Sequence, residues 1–268
     1  MADWQTITVE RRGEVDWLTL NRPDRLNALD DTLVGELSDY FGALATNRDV
    51  RLVVMKGAGR AYCAGLDLQA GGRESFDTID RLRHQRSIAE IVMKMRYAPQ
   101  PIISLVHGPA CGGGFAMALA SDIRIAGESV RMNAAFIRIG LSACDIGVSY
   151  FLPRLVGASV AAEFMLTGDF ITADRALATG LVSRVVPDDQ MEAAAEPLIE
   201  SMLTTSPLGL RLTKECLRMS LDAPSLEAAI AMEDRNQILA ATSPDFGEGI
   251  RAFFEKRRPD YSRKEAAE

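Results

Sequence analysis

A chain of 268 residues, 47% hydrophobic and 25% charged, carries enough apolar material for a large core, as one domain or one domain with an appendage. Its net charge of −7 argues against a nucleic-acid surface, and no stretch approaches the roughly 20 uninterrupted apolar residues of a membrane span. Neither nucleic acid nor membrane is an expected partner, and the opening "MADWQTITVERRG" lacks the apolar centre of a signal peptide, so a cytoplasmic protein is the expectation.

"TITVERRGEVDWLTLNRP" reads as two strands around a turn at Gly13, stopped by Pro23. Leu33, Leu37, Tyr40, Phe41 and Leu44 then recur at helical spacing behind Asp30 or Asp31 as N-cap. "VRLVVMKG" is a continuous apolar run, suited to a strand buried on both faces. A loop leads to a long helix, "IDRLRHQRSIAEIVMKMRYA", which must end before Pro99. "PIISLVHG" is the next strand, 112–120 the next helix, and "DIRIAG" and "VRMN" are two more strands. This alternation predicts an α/β fold with largely parallel strands. From about residue 188 the pattern becomes four helices with no strand between them. The expected division is an α/β core over 1–195 and a helical region over 196–268.

The four cysteines form no C-x-x-C pair, which predicts reduced structural thiols. No His, Cys or carboxylate set has the spacing of metal ligands, so no metal is expected.

"HGPACGGGFAMALASD" sets Gly112–Gly114 at the start of a helix. The first N–H groups of a helix lack partners within it, and glycine lets a ligand approach them closely. Tight packing of helix on sheet is the competing reading. A phosphate loop fits less well, because no Lys-Ser/Thr follows. A second loop, "KGAGRAYCAGLDLQ", leaves its strand in the same way and presents Ala64-Gly65-Leu66-Asp67. Two such loops beyond the carboxyl ends of neighbouring strands can aim two N–H groups at one oxygen, which is an oxyanion hole.

"NRPDRLNALD", "GAGRAYCAGLDL", "HGPACGGGFAMALASDIRIA", "GLSACDIGVSYFLPRLVG", "ATGLVSRVVP" and "AFFEKRRP" occur in the order found in the crotonase superfamily, the enoyl-CoA hydratase/isomerase family. The chain resembles that family over nearly its whole length. The resemblance implies a spiral of β-β-α turns with a C-terminal helical region that mediates homotrimers, often paired into hexamers. It implies an acyl-CoA ligand whose thioester oxygen is held by the N–H groups of Leu66 and Gly113, with Gly112 beside them. Ala64, Asp67 and Leu68 would line the path of the adenine and pantetheine, and Arg25 would lie near the phosphates. Phe253 and Lys256 match the family's C-terminal coenzyme A contacts, and no cofactor beyond the coenzyme A of the substrate is implied.

The family's typical hydratase carries two glutamates; the matching positions here are Ala116 and Phe136. One carboxylate remains nearby. Asp145, with a one-residue shift, matches the aspartate used by dienoyl-CoA isomerases, dihydroxynaphthoyl-CoA synthases and chlorobenzoyl-CoA dehalogenases. It can equally be the N-cap of the helix "IGVSYFLPRL". A single acid suits double-bond isomerisation, in which one base takes a proton and returns it elsewhere, better than hydration. Tyr150 and Ser149 are possible assistants, His107 is expected to order its turn, and His84 to be solvated. The basic stretch "EKRRPDYSRK" is either a solvated helix end or a phosphate contact through Lys256. Three functions stay open: hydration or isomerisation of an enoyl-CoA in fatty-acid metabolism, acyl-CoA binding without turnover, and thioester hydrolysis or C–C bond chemistry on the same scaffold.

Overall fold

Alternating apolar residues pair β1 (Ile7–Arg12) with β2 (Val15–Leu20) antiparallel, across a turn where Gly13 takes a φ of +62° that suits a residue without Cβ. The computed structural model describes residues 3–70 and 76–261; the last three residues of the basic stretch 255–264 lie outside it. The chain continues through α1 (Asp31–Ala43), β3 (Leu52–Gly57), α2 (Thr78–Tyr97), β4 (Ile102–Val106), β5 (Pro109–Cys111), α3 (Gly113–Ala120), β6 (Ile123–Gly127) and β7 (Arg131–Asn133). Then come α4 (Val148–Val156), α5 (Ala158–Thr167), β8 (Ile171–Thr172), α6 (Ala173–Ala178) and β9 (Arg184–Val186).

The large sheet runs β1-β2-β3-β4-β6-β9 and is parallel from β2 onward. Every residue of β4 is buried, its apolar run interrupted only by Ser104, as suits a strand covered on both faces. A smaller sheet, β5-β7-β8, pairs β5 with β7 parallel and β7 with β8 antiparallel. Asp30 is the cap of α1, its carboxylate accepting the Leu33 N–H at 2.9 Å. Asp77 does the same for α2, accepting the Asp80 N–H at 2.8 Å, and that helix stops at Ala98 ahead of Pro99.

All of α3 is buried. Its carboxyl end is fixed by Arg124, whose guanidinium donates to the carbonyls of Ser121 at 2.6 Å and Leu181 at 2.7 Å. Burial pushes that guanidinium down to about 10. Beneath the same helix, Tyr62, Ser104 and Ser121 share a buried hydroxyl chain at 3.0 and 2.6 Å.

The chain divides into two compact units: the residues up to Ala98 with Ile102–Ala195, and Pro99–Pro101 with the residues from Glu196 on. Helices α7 (Met191–Leu203), α8 (Pro207–Ser220), α9 (Leu226–Ala241) and α10 (Pro244–Glu255) end the chain. Ser206 and Ser225 cap α8 and α9 through the N–H groups of Gly209 at 3.1 Å and Ala228 at 3.2 Å. Within the second unit the buried Lys214 reaches the carbonyl of Gln100 at 2.8 Å. Among the described residues no helix is long and apolar enough to cross a membrane.

Candidate active site

The loop leaving β3 is held by a residue that sequence reasoning did not single out. Asn27 is fully buried, with a φ of +54°. Its side-chain amide donates to the carbonyls of Ala58 at 2.9 Å and Ala61 at 2.8 Å and accepts the Arg22 N–H at 2.8 Å. Arg22 pairs with Asp30 at 2.9 Å and Asp67 at 3.1 Å, so one guanidinium ties the start of α1 to the same loop. Both residues stand in "NRPDRLNALD"; an Asn in a turn-rich stretch is the signal that points to such a position.

So fixed, the loop runs alongside the start of α3. Cys63 bridges Ala110, with its N–H donated to the Pro109 carbonyl and its carbonyl accepting the Cys111 N–H. Leu66 bridges Leu29 in parallel: the Leu29 N–H goes to the Gly65 carbonyl at 2.7 Å and the Asp67 N–H to the Leu29 carbonyl at 2.9 Å. In a parallel ladder the bonds come from the residues on either side, which turns the N–H of Leu66 itself the other way. A Cβ placed on Gly65 would sit 3.4 Å from the Gly113 nitrogen and 2.8 Å from the Cys111 carbonyl, so the two backbones are in contact. Neither the Leu66 nor the Gly113 N–H is donated to any group among the described residues.

The three glycines differ in what they do. Gly114 is a packing glycine, since a Cβ there would lie 2.1 Å from the Cys63 carbonyl. Gly112 makes the turn into α3 at φ +50° and ψ −114°, a region open to glycine. Gly113 contributes the unpaired donor at the positive end of the helix.

Asp145 lies one residue from this point. The Ile146 side chain comes within 3.6 Å of a Cβ placed on Gly113, and Ile146 itself takes a φ of +35°. The Asp145 Oδ1 accepts the Ile146 N–H at 2.7 Å and the Gln85 side-chain amide at 2.5 Å. Burial raises its carboxyl above the usual aspartate value, and those two donors only partly offset it. The helix-cap reading of Asp145 is corrected: α4 begins at Val148 behind Gly147, with no side-chain cap. Positive φ at Ile146 and Gly147 carries the chain away from the aspartate before the helix starts. Gln85 had no signal in the sequence, being one polar residue on a charged helix.

Ala116 is fully buried on α3, and Phe136 is 8% exposed, with its ring 3.3 Å from a Cβ placed on Gly112. Both residues thus present apolar groups. Arg25 is exposed and bonds to Gln69 at 2.5 Å, Ala64 donates its N–H to the Leu26 carbonyl, and Leu68 is 68% exposed. Asp67 is buried and turned to Arg22 and the Gln69 N–H. Phe253 and Lys256 are exposed in the C-terminal unit, at the end of α10. His107 orders its turn through the Gly59 carbonyl at 2.8 Å. His84 departs from expectation: its imidazole is 17% exposed and pairs with Asp31 at 3.0 Å rather than with solvent. Tyr150 is stacked under Arg154, 3.8 Å from the ring centre.

Comparison with known proteins bears on the family and the fold. The enoyl-CoA hydratase/isomerase family model matches residues 10–264. A protein of Mycobacterium bovis, named as a probable enoyl-CoA hydratase, is 38% identical over 257 residues, covering 94% of this chain and 90% of its own. The 1,2-epoxyphenylacetyl-CoA isomerase of Escherichia coli is 32% identical over 249 residues, covering 92% and 94%. The enoyl-CoA hydratase structure from Bacillus anthracis superposes with a TM-score of 0.90 at 31% identity, over 96% of this chain and 99% of that one. Two backbone donors at the mouth of α3, on a fold shared almost end to end with these proteins, lead to one conclusion: the chain belongs to the enoyl-CoA hydratase/isomerase family of the crotonase superfamily.

Proposed function

We propose that the protein acts on the double bond of an acyl-CoA thioester, moving it along the chain with Asp145 as the acid/base. The observation that carries this reading is the pair of undonated N–H groups, Leu66 and Gly113, on touching backbones that the side chain of Ile146, the residue after Asp145, packs against. Two donors at the thioester oxygen stabilise the enolate that forms when a proton leaves C2. A single donor of this kind is worth about 10²–10³ in rate. Asp145 takes the C2 proton of a 3-enoyl-CoA, the double bond shifts to C2–C3, and the same carboxyl returns the proton to C4.

Hydration asks for more. Water must be held and deprotonated at one carbon while a proton reaches the next, and the positions that serve this in the family's hydratases hold Ala116 and Phe136. The Phe136 ring beside Gly112 replaces an acid with apolar surface. This favours isomerisation over hydration. The test is a panel of acyl-CoA thioesters assayed for isomerisation, hydration and release of free thiol. Isomerisation of 3-enoyl-CoA in excess of the other two is expected. Dominant hydration, thiol release, or binding with no turnover at all would overturn the proposal.

A further inference from the structure

We infer that Gln85 is a positioning residue for Asp145, fixing Oδ1 of the carboxylate from across the α2 helix so that Oδ2 alone exchanges the proton. The inference rests on the reading of Asp145 as acid/base. Its basis is how the two oxygens differ: Oδ1 accepts from both Gln85 at 2.5 Å and the Ile146 N–H at 2.7 Å, whereas Oδ2 accepts from nothing among the described residues. One base that removes a proton from one carbon and returns it to another has to keep its bearing between the two steps. A carboxylate tied at one oxygen by donors from two separate segments cannot swing about its Cβ–Cγ bond. The second donor, the Ile146 N–H, belongs to the aspartate's own backbone turn and would be present in any case. Gln85 is the added constraint.

The residue type also matters. A lysine or arginine at 85 would hold the same oxygen but would depress the carboxyl by its charge and weaken it as a base. A neutral amide lowers the carboxyl only through its hydrogen bond, without the added pull of a full charge. Charged groups on the neighbouring elements are directed elsewhere: His84 to Asp31, Arg81 to the Phe76 carbonyl, and Arg154 to the Tyr150 carbonyl and ring. Arg86 and Cys144, the flanking titratable groups, are exposed, and α3 carries no charged residue. The Asp145 carboxyl responds instead to its burial, to Ile146 and to Gln85.

Gln85→Met keeps the length of the side chain and removes the donor. Carbon-detected NMR titration of the Asp145 carboxyl, assigned by its absence in Asp145→Asn, reads the effect directly. Removing a donor from the charged form raises a carboxyl pKa, so the midpoint should rise by about half a unit or more. With a 3-enoyl-CoA as probe substrate, kcat should fall by about tenfold while KM stays within about twofold, because positioning acts on the proton transfer. Gln85→Glu, which sets a second carboxylate beside the first, should raise the midpoint further. An unmoved midpoint in both variants overturns the inference even if Asp145→Asn is inactive. Full activity in Asp145→Asn overturns the acid/base reading, and the role of Gln85 falls with it.

Discussion

Two aspartates close to the loop after β3 show how residue type alone says little about chemistry. Burial alone would push the Asp67 carboxyl up, but the Arg22 guanidinium and the Gln69 N–H outweigh it and hold the group below its usual value. Its contribution to stability is present above the unfolded value of about 4 and is lost as pH falls through the lower folded value. Arg22→Ala should therefore cost about 3 kcal/mol in urea unfolding at pH 7, with the deficit shrinking below about pH 4. Asp145 has the opposite sign. Its folded carboxyl is raised, so its contribution is favourable below the unfolded value and is lost as pH rises through the folded one. Asp145→Asn should therefore melt no lower than the parent at pH 7 by calorimetry, and a clear fall in Tm would contradict this account of its environment. The sequence named both aspartates but carried no sign of the partners that set their environments. Asp67 depends on an arginine 45 positions earlier, and Asp145 on a glutamine 60 positions earlier. Pairings over such distances leave no periodic trace.

At the scale of elements, legibility followed length. The long helix ending before Pro99, the buried strands around Val54 and Ser104, and the apolar helix after Gly112 each carry a period or a run that survives without context. Strands β5, β8 and β9 are two or three residues long and escaped notice, since nothing can alternate over so few positions. Yet β5 is the strand that leads into the Gly112 turn. The glycines of α3 and α1 give a paired prediction. Gly114→Ala drives a methyl group against the Cys63 carbonyl and should destabilise by about 3 kcal/mol or more. Gly35, inside α1, faces open space, so Gly35→Ala should stabilise by about 0.5–1 kcal/mol. Urea unfolding of the two variants checks both signs. Similar effects in both would mean that the contact between the β3 loop and α3 is looser than described.

For the whole molecule, family membership sets the fold, and the chain's own residues set the chemistry. The C-terminal unit exposes Phe253 and Phe254 at 76% each, Leu226 at 70% and Ile238 at 65%, more apolar surface than a small helical unit ordinarily leaves to water. We expect three or six subunits by sedimentation at micromolar concentration, and a clean monomer would contradict it. The central claim is that two backbone donors and one aspartate make the C2 proton of an acyl-CoA removable. It is tested most directly by incubating the protein with a saturated acyl-CoA in deuterated water and following the C2 protons by NMR. Without a double bond to move, exchange at C2 reports the hole and the base alone. The parent should wash deuterium into C2, and Asp145→Asn should do so about 10²–10⁴-fold more slowly while binding the thioester with unchanged affinity. Exchange at the parent rate in Asp145→Asn, or none in a parent that binds the thioester, would contradict the account.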